Sequence, residues 1–160
     1  MKRLLGTVAL AVVTIGVVFV VGLRTKSPTV LRAIRRTNRA VFNPRQMESA
    51  GTPGSYASII RHVGRTTGRT YETPIQAVAT SDGFVVGLPY GERADWLQNV
   101  LAAGTATLVH EGRDHGVDRP ELVPMGAVSA HWSLQDQRVH RLFRVDQALR
   151  VRRVELDEGA

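Results

Sequence analysis

The residues best equipped for chemistry in this chain are Gly64-Arg65-Thr66-Thr67-Gly68-Arg69. Two glycines allow a tight turn that exposes successive backbone N–H groups, and two hydroxyls and two guanidiniums add donors suited to phosphate or carboxylate. The run is not a Walker motif, because the G-x-x-x-x-G-K-[ST] spacing and its lysine are absent. Nor is it a dinucleotide fingerprint, since no helix follows. On these residues alone, anion binding and an ordinary solvated hairpin loop both stay open.

Other groups carry weaker signals. His110 and His115 flank a turn with Glu111 and Asp114 between them, but a metal needs three or four ligands converging on one point, and such a turn reads as solvated surface. No metal is expected. The chain has no cysteine, which removes disulfides and thiolate metal sites. Ser129, His131 and Asp136 invite a hydrolase triad, yet no G-x-S-x-G nucleophile elbow is present. His131 and Trp132 read as packing residues. Arg150, Arg152 and Arg153 read as a solvated edge or a membrane-facing strip.

The elements that must position these residues begin at residue 56. Residues 56–63 are rich in Ile, Tyr and Val and read as a strand that the Gly64–Arg69 loop interrupts. Residues 70–80 alternate apolar and polar side chains, as a half-buried strand does. Ser81-Asp82-Gly83 turns the chain into Phe84-Val85-Val86-Gly87-Leu88, which predicts an antiparallel hairpin. Residues 95–103 form the clear helix, with Trp96, Leu97, Val100 and Leu101 on one face and Gly104 at the C-cap position. Strands are expected over 106–110 and 115–122 around the turn 111–114, a short helix between 125 and 134, and a last strand over 148–156. The result is a mainly β (α+β) barrel-like domain spanning 55–157, not a doubly wound fold.

Ahead of it the composition changes. The net charge of +7 arises in the first 45 residues, which hold nine of the 21 basic side chains and no acidic one. Residues 4–23 are an uncharged apolar stretch long enough, at about 1.5 Å per residue, to cross a roughly 30 Å hydrocarbon layer. It exceeds a signal-peptide core and lacks a small-x-small cleavage site, so it reads as an uncleaved transmembrane anchor. Two basic residues precede it and six follow between Arg24 and Arg39, which places the domain on the cytoplasmic side of the inner membrane. Residues 29–43 predict an amphipathic helix with Arg32, Arg35, Arg36 and Arg39 on its polar surface, suited to an anionic lipid headgroup layer or to capping the core. Charge that flanks an apolar segment is explained by membrane lipids, and no nucleic acid is expected as a partner.

The run from His62 to Pro74, with Gly83-Phe84, Leu88-Pro89-Tyr90-Gly91 and Ala94-Asp95-Trp96-Leu97-Gln98-Asn99-Val100 at their spacing, resembles the deazaflavin-dependent nitroreductase family. The likeness covers residues 56–122. It implies a split β-barrel like those of flavin reductases and FMN-binding proteins, and binding of reduced coenzyme F-420, a hydride donor found mainly in actinobacteria and archaea. It places Arg65, Thr66, Thr67, Gly68 and Arg69 on the loop that holds the cofactor's phosphate and acidic tail. Ile75, Gln76, Ala77 and Val78 fall beside the tricyclic ring, and Val86, Gly87, Leu88, Pro89 and Tyr90 on the strand end that wraps it. Asp95, Trp96 and Asn99 fall on the helix closing the site.

A face made of Ile75, Ala77, Gly87 and Leu88 offers backbone donors, and Gly87 lacks the side chain that would block approach. Two departures from the pattern narrow the activity. Thr66 stands where nitro-reducing members often carry lysine, and no tyrosine follows Tyr90; His140 and Phe143 are the substrate-side candidates in its place. The resemblance therefore points to the membrane-associated branch, with a quinone, an enone or an unsaturated acyl chain as hydride acceptor and nitro compounds as a further candidate. A deazaflavin-binding or storage module without turnover, and a flavin- or heme-binding relative, are the alternatives. A homodimer is compatible with this reading, and no catalytic side chain is required.

Overall fold

The computed structural model describes residues 27–37 and 46–154, with 16–17, 20–22, 24–25 before them. Most of the apolar stretch 4–23, the end of the expected basic helix at 38–43, and residues 155–160 lie outside the described residues. Among the described residues no helix is long and apolar enough to cross a membrane.

Helix α1 spans Pro28–Thr37, with proline at the first turn, where a missing N–H costs nothing. The strands are β1 (Ser58–Val63), β2 (Thr70–Ile75), β3 (Ala77–Ala79), β4 (Gly83–Gly87), β5 (Thr105–His110), β6 (Arg113–Pro124) and β7 (Gln147–Val154). Helix α2 is Asp95–Ala103, α3 is Met125–Val128, and a 3-10 turn Ser129–His131 leads to α4, Leu134–Leu142. All strands join one antiparallel sheet in the order β2-β1-β5-β6-β7-β4-β3.

That order makes the molecule a curled half-barrel. β2 and β3 lie on opposite edges of the sheet, yet only Gln76 separates them in the chain. Two trans peptides span at most about 7–8 Å, so the two edges must approach each other at Gln76. The single strand expected over 70–80 is therefore two. Its first half pairs with β1, and only its second half forms the expected hairpin with β4, with Ala77 opposite Val86 and Ala79 opposite Phe84.

Two further devices bend the sheet. Glu111 and Gly112 both take positive φ, 51° and 74°, the two-residue type I′ geometry whose twist matches antiparallel strands. The turn is thus tighter than the four residues expected. In β6 the register to β7 slips between Asp118 and Glu121, where Arg119 takes φ 49° and Pro120 offers no N–H; such a bulge kinks a long strand.

β4 is buried along nearly its whole length because both its faces are covered. Phe84, Val86 and Leu88 join Ile60, Ile75, Leu97, Val100, Leu108, Val117, Leu149 and Val151 in the main core under α2. Val85 and Ala148 face the other way, onto Val123, Met125, Val128, Trp132 and Val145. α4 is capped by Ser133, whose Oγ accepts the Asp136 N–H at 3.1 Å while donating to Asp136 Oδ2 at 2.7 Å.

Candidate active site

The Gly64–Arg69 loop is tied down at its base by a buried polar network. His62 and Asn99 are 4% and 6% exposed, unusually low for such residues. Asn99 Oδ1 accepts from the Arg65 backbone N–H (3.2 Å) and from the Arg65 guanidinium (2.8 Å). Its amide nitrogen must then donate to His62 Nδ1, 3.1 Å away. This fixes the neutral imidazole with its proton on Nε2, which donates to Thr73 Oγ1 at 3.3 Å. Burial lowers the His62 pKa in the same sense, against the opposing pull of Asp95. Arg65 also approaches Asp95, at 3.7 Å from its carboxylate and 3.5 Å from its carbonyl. The loop is thereby docked on the N-terminus of α2.

The loop's own amides are largely spent. Gly64 N–H donates to Arg69 O, Thr67 and Gly68 N–H donate to Gly64 O, and Arg69 N–H to Thr67 Oγ1. The expectation of a nest of exposed N–H groups is thus corrected: Thr66 N–H is the loop amide without an acceptor among the described residues. Gly64 is glycine because a Cβ would lie 2.5 Å from Thr67 Oγ1 and 2.7 Å from the Tyr71 ring; Gly68 has φ 65° and open space around it. Tyr71 stacks on His62 and meets Thr67 through its hydroxyl at 3.1 Å. The exposed Arg69 guanidinium has no carboxylate partner among the described residues. Of the two arginines, Arg65 anchors the loop and Arg69 faces outward.

The segment leading into α2 lines a cleft of about 630 Å³ through Leu88, Tyr90, Gly91, Glu92 and Arg93, together with Pro28, Leu31, Arg32, Asp146 and Gln147. Leu31 of α1 packs with Tyr90 and Phe143, so the predicted ring-wrapping residue Tyr90 and the substrate-side candidate Phe143 come together under this helix. Sequence reading missed Leu31, Arg32, Glu92, Arg93, Asp146 and Gln147, because the cleft forms between segments far apart in the chain.

The remaining predicted residues divide. Ile75, Ala77, Val86 and Leu88 put their side chains into the main core, where Trp96 packs partly buried against them. Val78 packs on the second core. What these strands can offer a ligand is backbone. Pro89 is half-buried beside Leu88. The open space expected before Gly87 is filled: a Cβ there would lie 3.2 Å from His140 Nε2 and 3.3 Å from Met125 Cε. Gly87 makes room for His140, not for a ring. His140 is 8% exposed, stands edge-on to Trp132, and its Nδ1 has no partner among the described residues; burial lowers its pKa, with Asp136 opposing. Asp136 accepts from the Ser133 hydroxyl at 2.7 Å and from the Tyr56 hydroxyl at 3.2 Å, and these donors, with Gln76 at the barrel seam, lower its pKa. Burial first, and Asp136 second, push the Tyr56 phenol up to about 12.

His110 and His115 bracket Phe84 instead of converging on a metal, and among the described residues no cluster of ligands could hold one.

No protein-family profile matches the chain, and no curated protein does. Sixteen chains of solved structures match. One is described as an F-420-H2-dependent reductase, at 12% identity over 60% of this chain and 93% of that one, with a TM-score of 0.47. A second, described as an F-420 reductase, matches at 10% identity over 68% and 92%, with a TM-score of 0.44. An FMN-binding protein from Syntrophomonas wolfei subsp. wolfei is similar at 13% identity over 78% and 93%, with a TM-score of 0.39.

Proposed function

We propose that this chain is an oxidoreductase that binds reduced deazaflavin coenzyme F-420 and serves a lipophilic acceptor at the inner face of the membrane. The observation that carries the reading is the docking of the arginine loop onto the α2 N-terminus at Asp95, whose preceding segment, through Leu88, Tyr90 and Arg93, lines a cleft with Leu31. A flat, weakly polar ring on a polyanionic tail asks for two adjoining surfaces of this kind.

The residues present fit that ligand. The cleft volume lies in the range of small-molecule sites, about 300–1,000 Å³. Leu31, Tyr90 and the Leu88 backbone would hold the ring, and Arg69, Arg93, Arg32 and the Thr66 amide the anionic tail. When bound, the coenzyme supplies the hydride, so the chain needs no nucleophile. Its own residues orient the ligand, and α1 shields one wall of the cleft from water. The acceptor would be a quinone, an enone or an unsaturated acyl chain, reached through the membrane by the anchor at 4–23. A binding module without turnover is the second reading, favoured by His140 filling the space before Gly87.

Titrating the protein with the coenzyme and following its absorbance tests the proposal. Arg69→Ala and Arg93→Ala should each weaken binding roughly ten- to a hundredfold, the worth of one charge-assisted hydrogen bond. The losses should shrink at high salt. Arg113→Ala, on the β5–β6 turn, should change nothing. No binding at roughly tens of micromolar would sink the reading, and binding without oxidation across an acceptor panel would favour the module.

A further inference from the structure

The outward face of α4 has no role in the site, and its composition is unusual for solvated surface. Leu134, Val139 and Leu142 are 73%, 42% and 49% exposed. At helical spacing they share that face with Arg138 and Arg141, also exposed, while His140 is buried and Asp136, half-buried on the opposite side, accepts from Tyr56. Exposed leucines and valine interleaved with arginines and no acid are the makeup of a helix lying in a lipid headgroup layer. Position adds a second, independent observation. The guanidinium of Arg24, the first basic residue after the apolar stretch 4–23, donates to the carbonyl of Leu142 at 2.9 Å. The chain therefore leaves the apolar segment at the C-terminal end of this same helix.

We infer that the outer face of α4 is a docking surface for an anionic bilayer, seated in the headgroup layer beside the membrane segment. The inference rests on the membrane reading of residues 4–23. Leu134 and Leu142 would enter the acyl boundary, and Arg138 and Arg141 would pair with lipid phosphates. Docked so, the domain is held in one orientation and not free on a tether.

The chain has no cysteine, so single cysteines at Leu134 or Leu142, and at Arg113 as a control, can carry an environment-sensitive fluorophore on the full-length protein. The protein is reconstituted in vesicles of phosphatidylcholine with phosphatidylglycerol, or of phosphatidylcholine alone. Labels at 134 and 142 should brighten and shift to the blue on anionic vesicles, and the label at 113 should not. Replacing Arg138 and Arg141 together by Gln should lower the docked-to-undocked ratio roughly tenfold or more, since each basic residue near such a surface counts. Protein that floats with the vesicles while labels at 134 and 142 stay water-like overturns this inference alone. Protein that does not float overturns the anchor reading and this one with it. A blue shift without vesicles means that another segment or a second copy covers the face, and also overturns it.

Discussion

Asn99 satisfies three groups at once: the Arg65 amide, the Arg65 guanidinium and His62 Nδ1. Asn99→Ala would strand a buried imidazole nitrogen and release the loop, which should cost about 1–3 kcal/mol in denaturant unfolding and weaken coenzyme binding as well. Asn99→Asp keeps the Oδ1 acceptor for both Arg65 donors but offers His62 Nδ1 an acceptor where it had a donor. The imidazole should then take a second proton, and its pKa, followed by NMR, should rise. A variant that left the His62 titration unmoved would refute the assigned tautomer.

The histidines also set the pH response. Burial lowers the pKa of His62, His115 and His140 in the folded state, while unfolded histidine titrates near about 6.5. Between the folded and unfolded values the unfolded chain binds more protons, so stability rises with pH there. It should be full above the unfolded value, fall as pH drops below it, and level off past the folded values. His140→Leu should flatten part of that slope and leave stability at neutral pH unchanged or raised, because it removes a buried nitrogen that lacks a partner. Unfolding curves at several pH values check this. At this scale the sequence offered the loop arginines but not their division of labour, which depends on Asn99, 34 residues away.

Among elements, α2 was legible to the residue: an apolar face, Asp95 in its first turn, and Gly104 at φ 75° as its cap. Gly104→Ala should cost about 1 kcal/mol, the usual penalty for a left-handed cap. Gly68→Ala should cost a similar amount, because its φ is positive but its surroundings are open. Gly83→Ala should be far worse, since a Cβ would strike the Val151 carbonyl and lie 2.8 Å from the Arg152 Cα across the β4–β7 ladder. Comparing the three by thermal unfolding separates backbone strain from steric exclusion; equal losses would refute the close β4–β7 approach. The split of residues 70–80 and the helix α4 were not legible. Alternation cannot say which neighbour each half of a strand will pair with, and α4 exposes Leu134, Val139 and Leu142, so no apolar stripe marked its buried side.

On the scale of the whole molecule, closure of the half-barrel at Gln76 and the seat of α1 over Tyr90 and Phe143 are separate events. The core under α2 and the second core under α3 and α4 use residues from 60 onward. α1 contributes only Leu31, 8% exposed, with Val30 beside it. Deleting residues 1–26 should therefore leave the domain folded, with a melting temperature within a few degrees, because among the described residues none of the three apolar clusters loses a member. It removes the apolar stretch and the Arg24 contact to Leu142, so the truncated protein should leave strongly bound membrane fractions. It should keep weak, salt-sensitive attachment to anionic vesicles through the arginines of α1 and α4, each worth about 1 kcal/mol near such a surface. Coenzyme affinity should stay within roughly fivefold, because a single anchoring contact is worth at most about 1 kcal/mol at an exposed position. Membrane fractionation, vesicle sedimentation at low and high salt, and coenzyme titration on the same preparation read these outcomes separately. A truncated protein that still resists salt extraction would show that residues 4–23 are not the anchor. One that lost the coenzyme while staying folded would show that the N-terminal segment is part of the binding site and not only its tether.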